Sequence, residues 1–75
     1  MKTKNLLLIG GSGFLGSHLA HRLAALGHRL TVPTRRSERA RHLLVLPTVV
    51  VVEADVHDPA RLVELTAGRD AVINL

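Results

Sequence analysis

Four of the chain's six glycines fall between residues 10 and 16, in the run Ile9-Gly10-Gly11-Ser12-Gly13-Phe14-Leu15-Gly16. Two spacings overlap there: G-x-x-G-x-x-G through Gly10, Gly13 and Gly16, and G-x-G-x-x-G through Gly11, Gly13 and Gly16. Residues without a Cβ let main-chain N–H groups approach a bulky anion, and a helix starting at that point adds unpaired donors and the positive end of its dipole. The chemistry on offer is recognition of a diphosphate. Gly10 is expected to permit a tight turn, Gly13 to admit the anion, Gly16 to let the helix pack close to the sheet, and Ser12 to offer its hydroxyl to a phosphate. A turn kept for structure alone, binding nothing, is the competing reading. Placement between a strand and a helix is what favours the anion.

A second polar group lies further along. Arg35, Arg36, Arg39 and Arg41, with His42, fall within eight residues and carry the local excess behind a net charge of +4. Such a run is ordinarily a solvated helix face. A nucleic-acid footprint is disfavoured, because the chain has one Phe and no Tyr or Trp to stack on bases. His18 and His21 are three apart, yet no carboxylate or thiolate joins them in the pattern, so a polar helix face is preferred to a metal site. Ser12 lacks the G-x-S-x-G setting of a hydrolase nucleophile. The absence of cysteine excludes disulfides, thiolate zinc sites and cysteine nucleophiles, and a reducing cytosol is the default compartment.

An anion cradle needs a strand before it and a helix behind it, and the flanking residues predict both. Asn5 to Ile9 is a short apolar run of the kind that forms a strand buried on both faces. From Phe14 to Leu26 the period changes. Leu15, Leu19, Leu23 and Leu26 share one side of a helix; His18, His21, Arg22 and Ala25 lie off it, and Gly27 closes the last turn. Arg29 to Thr34 predicts a second strand, with Pro33 marking its end because proline cannot donate to an internal ladder. Ser37 is placed as N-cap of a short helix running toward Leu46 and stopped by Pro47. Thr48 to Glu53, with valine at 49 through 52, predicts a third strand. Asp58 caps and Pro59 opens a helix to about Ala67, closed by Gly68, and Asp70 to Leu75 begins a fourth strand.

The order β-α-β-α-β-α-β implies an α/β fold with a parallel sheet, since each parallel pair needs a crossover. Right-handed crossovers favour the doubly wound strand order 3-2-1-4. An apolar share of 47% suits a globular core, and no stretch approaches a membrane span, because Leu43 to Val52 is interrupted by Pro47 and Thr48. Residues 1–75 are read as the N-terminal part of one domain, half of a doubly wound sheet.

At Gly10 to His18 the sequence Gly-Gly-Ser-Gly-Phe-Leu-Gly-Ser-His resembles the extended and atypical short-chain dehydrogenase/reductases, the NAD-dependent epimerase/dehydratase-like proteins. The stretch Thr31 to Arg36, with Glu53 to Val56 and Ala71 to Leu75, is more similar to bacterial relatives of the NADPH-binding accessory subunit of respiratory complex I. The resemblance implies the N-terminal half of a Rossmann domain that binds a nicotinamide dinucleotide through Gly10, Gly11, Ser12, Gly13, Phe14, Leu15 and Gly16. In such families an acidic residue ends the second strand and holds the adenosine ribose. Here Thr34 stands in that place. Without a carboxylate to repel a 2′-phosphate, Arg35 and Arg36 can pair with it, so NADP(H) is expected over NAD(H), and Arg39 and Arg41 are read as facing water. The resemblance further implies that Asp55 reaches the adenine amino group and Val56 lines the adenine pocket, against the plainer role of Asp55 capping a turn.

The catalytic Tyr-x-x-x-Lys of active relatives has no counterpart in a chain without tyrosine. The leading expectation is therefore the cofactor-binding portion of an epimerase, dehydratase or reductase. The alternative is a non-catalytic NADPH-binding structural or assembly subunit with a respiratory-complex partner, and a third reading gives the isolated piece no function. An exposed fourth strand is expected to promote self-association through the sheet edge.

Overall fold

Strand β1 (Asn5–Ile9) carries Leu6, Leu7 and Leu8 in succession and buries all three in the computed structural model, which describes residues 3–11 and 13–75. Successive strand residues point to opposite faces, so burying three in a row requires cover on both faces, the situation of a central parallel strand. Pairing confirms this position. β1 lies parallel to β2 (Arg29–Thr34) on one side and to β4 (Ala71–Asn74) on the other, and β3 (Val49–Glu53) extends the sheet beyond β2. The order is β3-β2-β1-β4, the doubly wound half-sheet expected from the sequence.

Helix α1 (Phe14–Ala25) and a 3-10 helix (Ser37–Val45) cover one face, where Leu6, Leu8, Leu30, Val32 and Val49 pack with Ala20, Ala40 and Leu43. The crossover from β3 to β4 spans the sheet in the opposite direction, which carries α2 (Pro59–Thr66) over the other face, with Leu65 buried. None of these helices is long and apolar enough to cross a membrane.

The apolar stripe of α1 differs from the expected leucine stripe. Leu19 and Leu23 do pack against the core, but Leu15 and Leu26 are 67% and 53% exposed, and the buried residues are Gly16 and Ala20. The helix approaches the turn before it so closely that only small residues fit along the contact line. Its end is as expected. Gly27 takes φ +88°, with the His28 N–H donating to Leu23 O at 3.1 Å and the Gly27 N–H to Ala24 O at 2.9 Å, a Schellman closure.

Pro33 does not end β2. It is buried and pairs with Val52, and the strand runs on to Thr34. The ladder explains why. The Arg29 N–H donates toward β1, to Lys4 O, and the Leu30 N–H toward β3, to Thr48 O, so alternation points the Pro33 nitrogen toward β1. Pairing of β1 with β2 has already stopped at Thr31, and the missing donor costs nothing there. The 3-10 helix likewise begins one step earlier than read, with Arg36 at the N-cap and Ser37 already helical. Asp58 caps α2 as expected, accepting from the Ala60 N–H at 3.1 Å.

Candidate functional site

In a parallel sheet all strands end at the same edge, so the loops after β1, β2 and β3 converge there. The first of these loops is the glycine run. Gly10 leaves β1 at φ +89°, beside Leu75 at the end of β4, and the Gly13 N–H closes the turn onto Gly10 O at 3.2 Å. Gly11 is buried against Leu8 and Val32. Ser12, assigned a phosphate hydrogen bond from sequence, lies outside the described residues.

The two remaining glycines differ in what requires them. A Cβ on Gly16 would collide with Gly10 O and come within 2.6 Å of Gly11 Cα, so the fold itself excludes any side chain. Gly16 thus lets the helix close on the turn rather than on the sheet at large. A Cβ on Gly13 would meet only Gly10 O, at 3.6 Å, an ordinary contact, and its φ of −79° suits any residue. Nothing in the fold demands a glycine at 13.

Gly13 is the N-cap of α1 and offers no side-chain cap, and the first turn contains no acidic residue. No described residue accepts a hydrogen bond from the N–H groups of Phe14, Leu15 or Gly16. Their side chains do not fill the space over the turn: Phe14 is 84% exposed and stands edge-on to the His18 ring. A helix start with open donors and no competing carboxylate attracts an anion. This donor set fits a dinucleotide diphosphate.

The second and third loops supply side chains. Thr34 is the last residue of β2; its hydroxyl donates to Arg36 O at 3.2 Å and accepts from the Arg36 N–H at 3.3 Å, fixing the bend that brings Arg35 and Arg36 to the surface. Arg35 reaches Asp55, beyond the end of β3, at 3.5 Å. Both remain largely exposed. Asp55 also accepts from the His57 N–H at 2.9 Å, so it does cap a turn. That N–H holds its carboxyl below the ordinary carboxylate range, against a smaller opposing effect of desolvation, and Arg35 adds to the lowering. Val56 is half-buried beside it, and Arg41 faces water.

Two residues at the turn escaped the sequence reading. Ser17 Oγ lies 3.3 Å from Gly11 O and 2.8 Å from His42 Nε2 of the 3-10 helix. Ser17 belongs to the recognised segment, but no local signal ties it to a histidine twenty-five positions away.

The sequence profile of the NAD dependent epimerase/dehydratase family matches residues 6–75. The chain belongs to this family. The family is NAD-dependent, which implies a nicotinamide dinucleotide as its cofactor class. Relatives of the chain include a sterol-4-alpha-carboxylate 3-dehydrogenase (decarboxylating) of Dictyostelium discoideum, 35% identical across 95% of this chain and 21% of that protein. They also include the mitochondrial NADH dehydrogenase (ubiquinone) 1 alpha subcomplex subunit 9 of Arabidopsis thaliana, 38% identical across 91% of this chain and 18% of that protein. The chain therefore spans about a fifth of these relatives' length. Among solved structures, a short-chain dehydrogenase from Streptomyces avermitilis superposes with a TM-score of 0.71 at 25% identity, over 81% of this chain and 23% of that one. The PbgP3 protein of Burkholderia pseudomallei shares the fold, with a TM-score of 0.79 at 24% identity, over 99% of this chain and 25% of that one.

Proposed function

We propose that residues 1–75 are the N-terminal, cofactor-holding part of a Rossmann domain in an epimerase/dehydratase-like oxidoreductase that prefers NADP(H) to NAD(H). The observation that carries the preference is the end of β2, where Thr34 spends its hydroxyl on the local bend and Arg35 stands exposed with only a surface carboxylate for company. In this reading the N–H groups over Gly10 to Gly16, with the Ser12 hydroxyl, hold the diphosphate, and the main chain at Phe14 and Leu15 presents the donors. Arg35, supported by Arg36, pairs with the 2′-phosphate; Asp55 turns to the adenine amino group and Val56 packs on the ring. The bound dinucleotide supplies the hydride chemistry, and these residues bind and orient it.

Calorimetric titration of the full-length protein with NADPH and NADH tests this. NADPH binds more tightly, and Arg35→Ala weakens it about tenfold while leaving NADH unchanged. Equal affinities in the wild type, or tighter NADH, would remove the role given to Arg35.

A second reading rests on the similarity to the NADH dehydrogenase subunit. There the dinucleotide stabilises a structural or assembly subunit of a respiratory complex and is not turned over. A Tyr-x-x-x-Lys pair in the remainder of the protein and consumption of NADPH favour the enzyme; retention of unreacted NADPH favours the scaffold. A cytoplasmic location is proposed for either protein.

A further inference from the structure

The turn that is proposed to hold the diphosphate is itself held by one side chain. Ser17, in the second turn of α1, donates its N–H to Gly13 O at 2.8 Å and brings its hydroxyl to within 3.3 Å of Gly11 O. A single residue thereby grips the run on both sides of position 12. The hydroxyl has one proton and two neighbours, Gly11 O, which can only accept, and His42 Nε2 at 2.8 Å. Only one arrangement satisfies both contacts. The Ser17 O–H donates to Gly11 O, and His42 carries its proton on Nε2 and donates to Ser17 Oγ. Were the serine to donate to His42 instead, the Gly11 carbonyl would lose its partner.

The direction of that carbonyl matters for anion binding. A carbonyl oxygen turned toward a diphosphate repels it, whereas one tied back to the helix leaves the N–H groups alone to face the ligand. Gly11 has little room to shift inward, because a Cβ built there would already stand 3.0 Å from the side chains of both Leu8 and Val32, tighter than ordinary contact. Its orientation depends on the hydroxyl, and the hydroxyl rotor depends on His42. The contact also ties α1 to the 3-10 helix directly after the Arg35–Arg36 bend, so the diphosphate and adenosine halves of the site share one strut.

We propose that His42 is a positioning residue for dinucleotide binding, acting through Ser17 to hold the Gly11 carbonyl away from the diphosphate. The inference rests on the proposed cofactor site and names a residue that the glycine motif does not contain. His42 is exposed, so its replacement leaves the core intact.

The test measures NADPH and NADH affinities of the full-length protein for the wild type, His42→Leu, His42→Gln, Ser17→Ala and the double variant Ser17→Ala/His42→Leu. His42→Leu is expected to weaken both dinucleotides by the same factor, about fivefold, because the diphosphate is common to them. His42→Gln, which keeps an N–H donor, restores most of the loss. The double variant binds no worse than Ser17→Ala alone, since His42 acts only through that hydroxyl. Unchanged affinity in His42→Leu overturns the inference, as do additive losses in the double variant. A loss confined to NADPH overturns it as well, by placing His42 at the 2′-phosphate instead. A wild type that binds neither dinucleotide removes the proposed function and this inference together.

Discussion

At the edge of the sheet where the strands begin, polar groups spend their hydrogen bonds on one another. Asp70 takes the Asn5 N–H at 2.6 Å and donates its own N–H to Asn5 O at 2.7 Å, while Arg69 donates to Asn5 Oδ1 at 2.9 Å and to Leu65 O at 2.8 Å. At the edge where the strands end, the N–H groups of Phe14, Leu15 and Gly16 meet no partner among the described residues, and Arg35 meets Asp55 only at 3.5 Å on the surface. The same kinds of group are present at both edges. What differs is whether the described residues complete them or leave them open, and the open donors beside the glycine-rich turn are where the proposed ligand site lies.

The sharpest way to break this contrast lies within the turn. Gly16→Ala forces a Cβ onto the Gly10 carbonyl and should cost about 3 kcal/mol of stability, read as a lower urea midpoint, together with loss of dinucleotide binding. Gly13→Ser should do the opposite to the fold. The serine hydroxyl caps the helix start, stability holds or rises by a few tenths of a kcal/mol (about 0.3), and dinucleotide affinity falls about tenfold because a donor once open is now satisfied internally. If Gly13→Ser binds as well as wild type, the open donors are not the cradle.

At the other edge, Arg69→Ala should lower stability by about 1 kcal/mol without changing affinity for dinucleotide, since its hydrogen bonds fasten β1 to the turn before β4. A change in affinity there would erase the distinction between the two edges.

The smallest expected effect concerns Asp55. Its folded-state carboxyl titrates below the ordinary value, held first by the His57 N–H and then by Arg35, so its contribution is fully present above the unfolded pKa near 3.8 and is lost as pH falls through the lower folded value. Asp55→Asn should slightly flatten the acid limb of a thermal-melting pH series below pH 4 and lower the neutral plateau by the same small amount, with the two proteins converging at low pH. An unaltered acid limb would mean that the Asp55 contacts do not persist in solution.

The strands, the helix ends at Asp58 and Gly27 and the glycine turn were legible because each is governed by local chemistry, whereas the cap read at Ser37 falls on Arg36. Three leucines in a row, Asp58 before Pro59, and Gly27 after a helix mean the same thing in most contexts. The leucine stripe of α1 misled for a different reason. Periodicity identifies the apolar side of a helix, but how near the helix comes to the turn decides that Gly16 and Ala20 form the contact line and leave Leu15 in water. Pro33 likewise looked like a stop until the ladder showed which neighbour its nitrogen faces.

By itself, then, the order of residues determined the element types, the parallel doubly wound sheet and the glycine turn between β1 and α1, since backbone stereochemistry, burial and capping act over a few neighbouring positions. Only the tertiary structure decided that the fold excludes a side chain at Gly16 but not at Gly13, that Arg35 meets Asp55, and that His42 meets Ser17. The last two contacts join residues twenty or more positions apart, and the geometry of all three is set by how helices and strands pack, which no local pattern encodes.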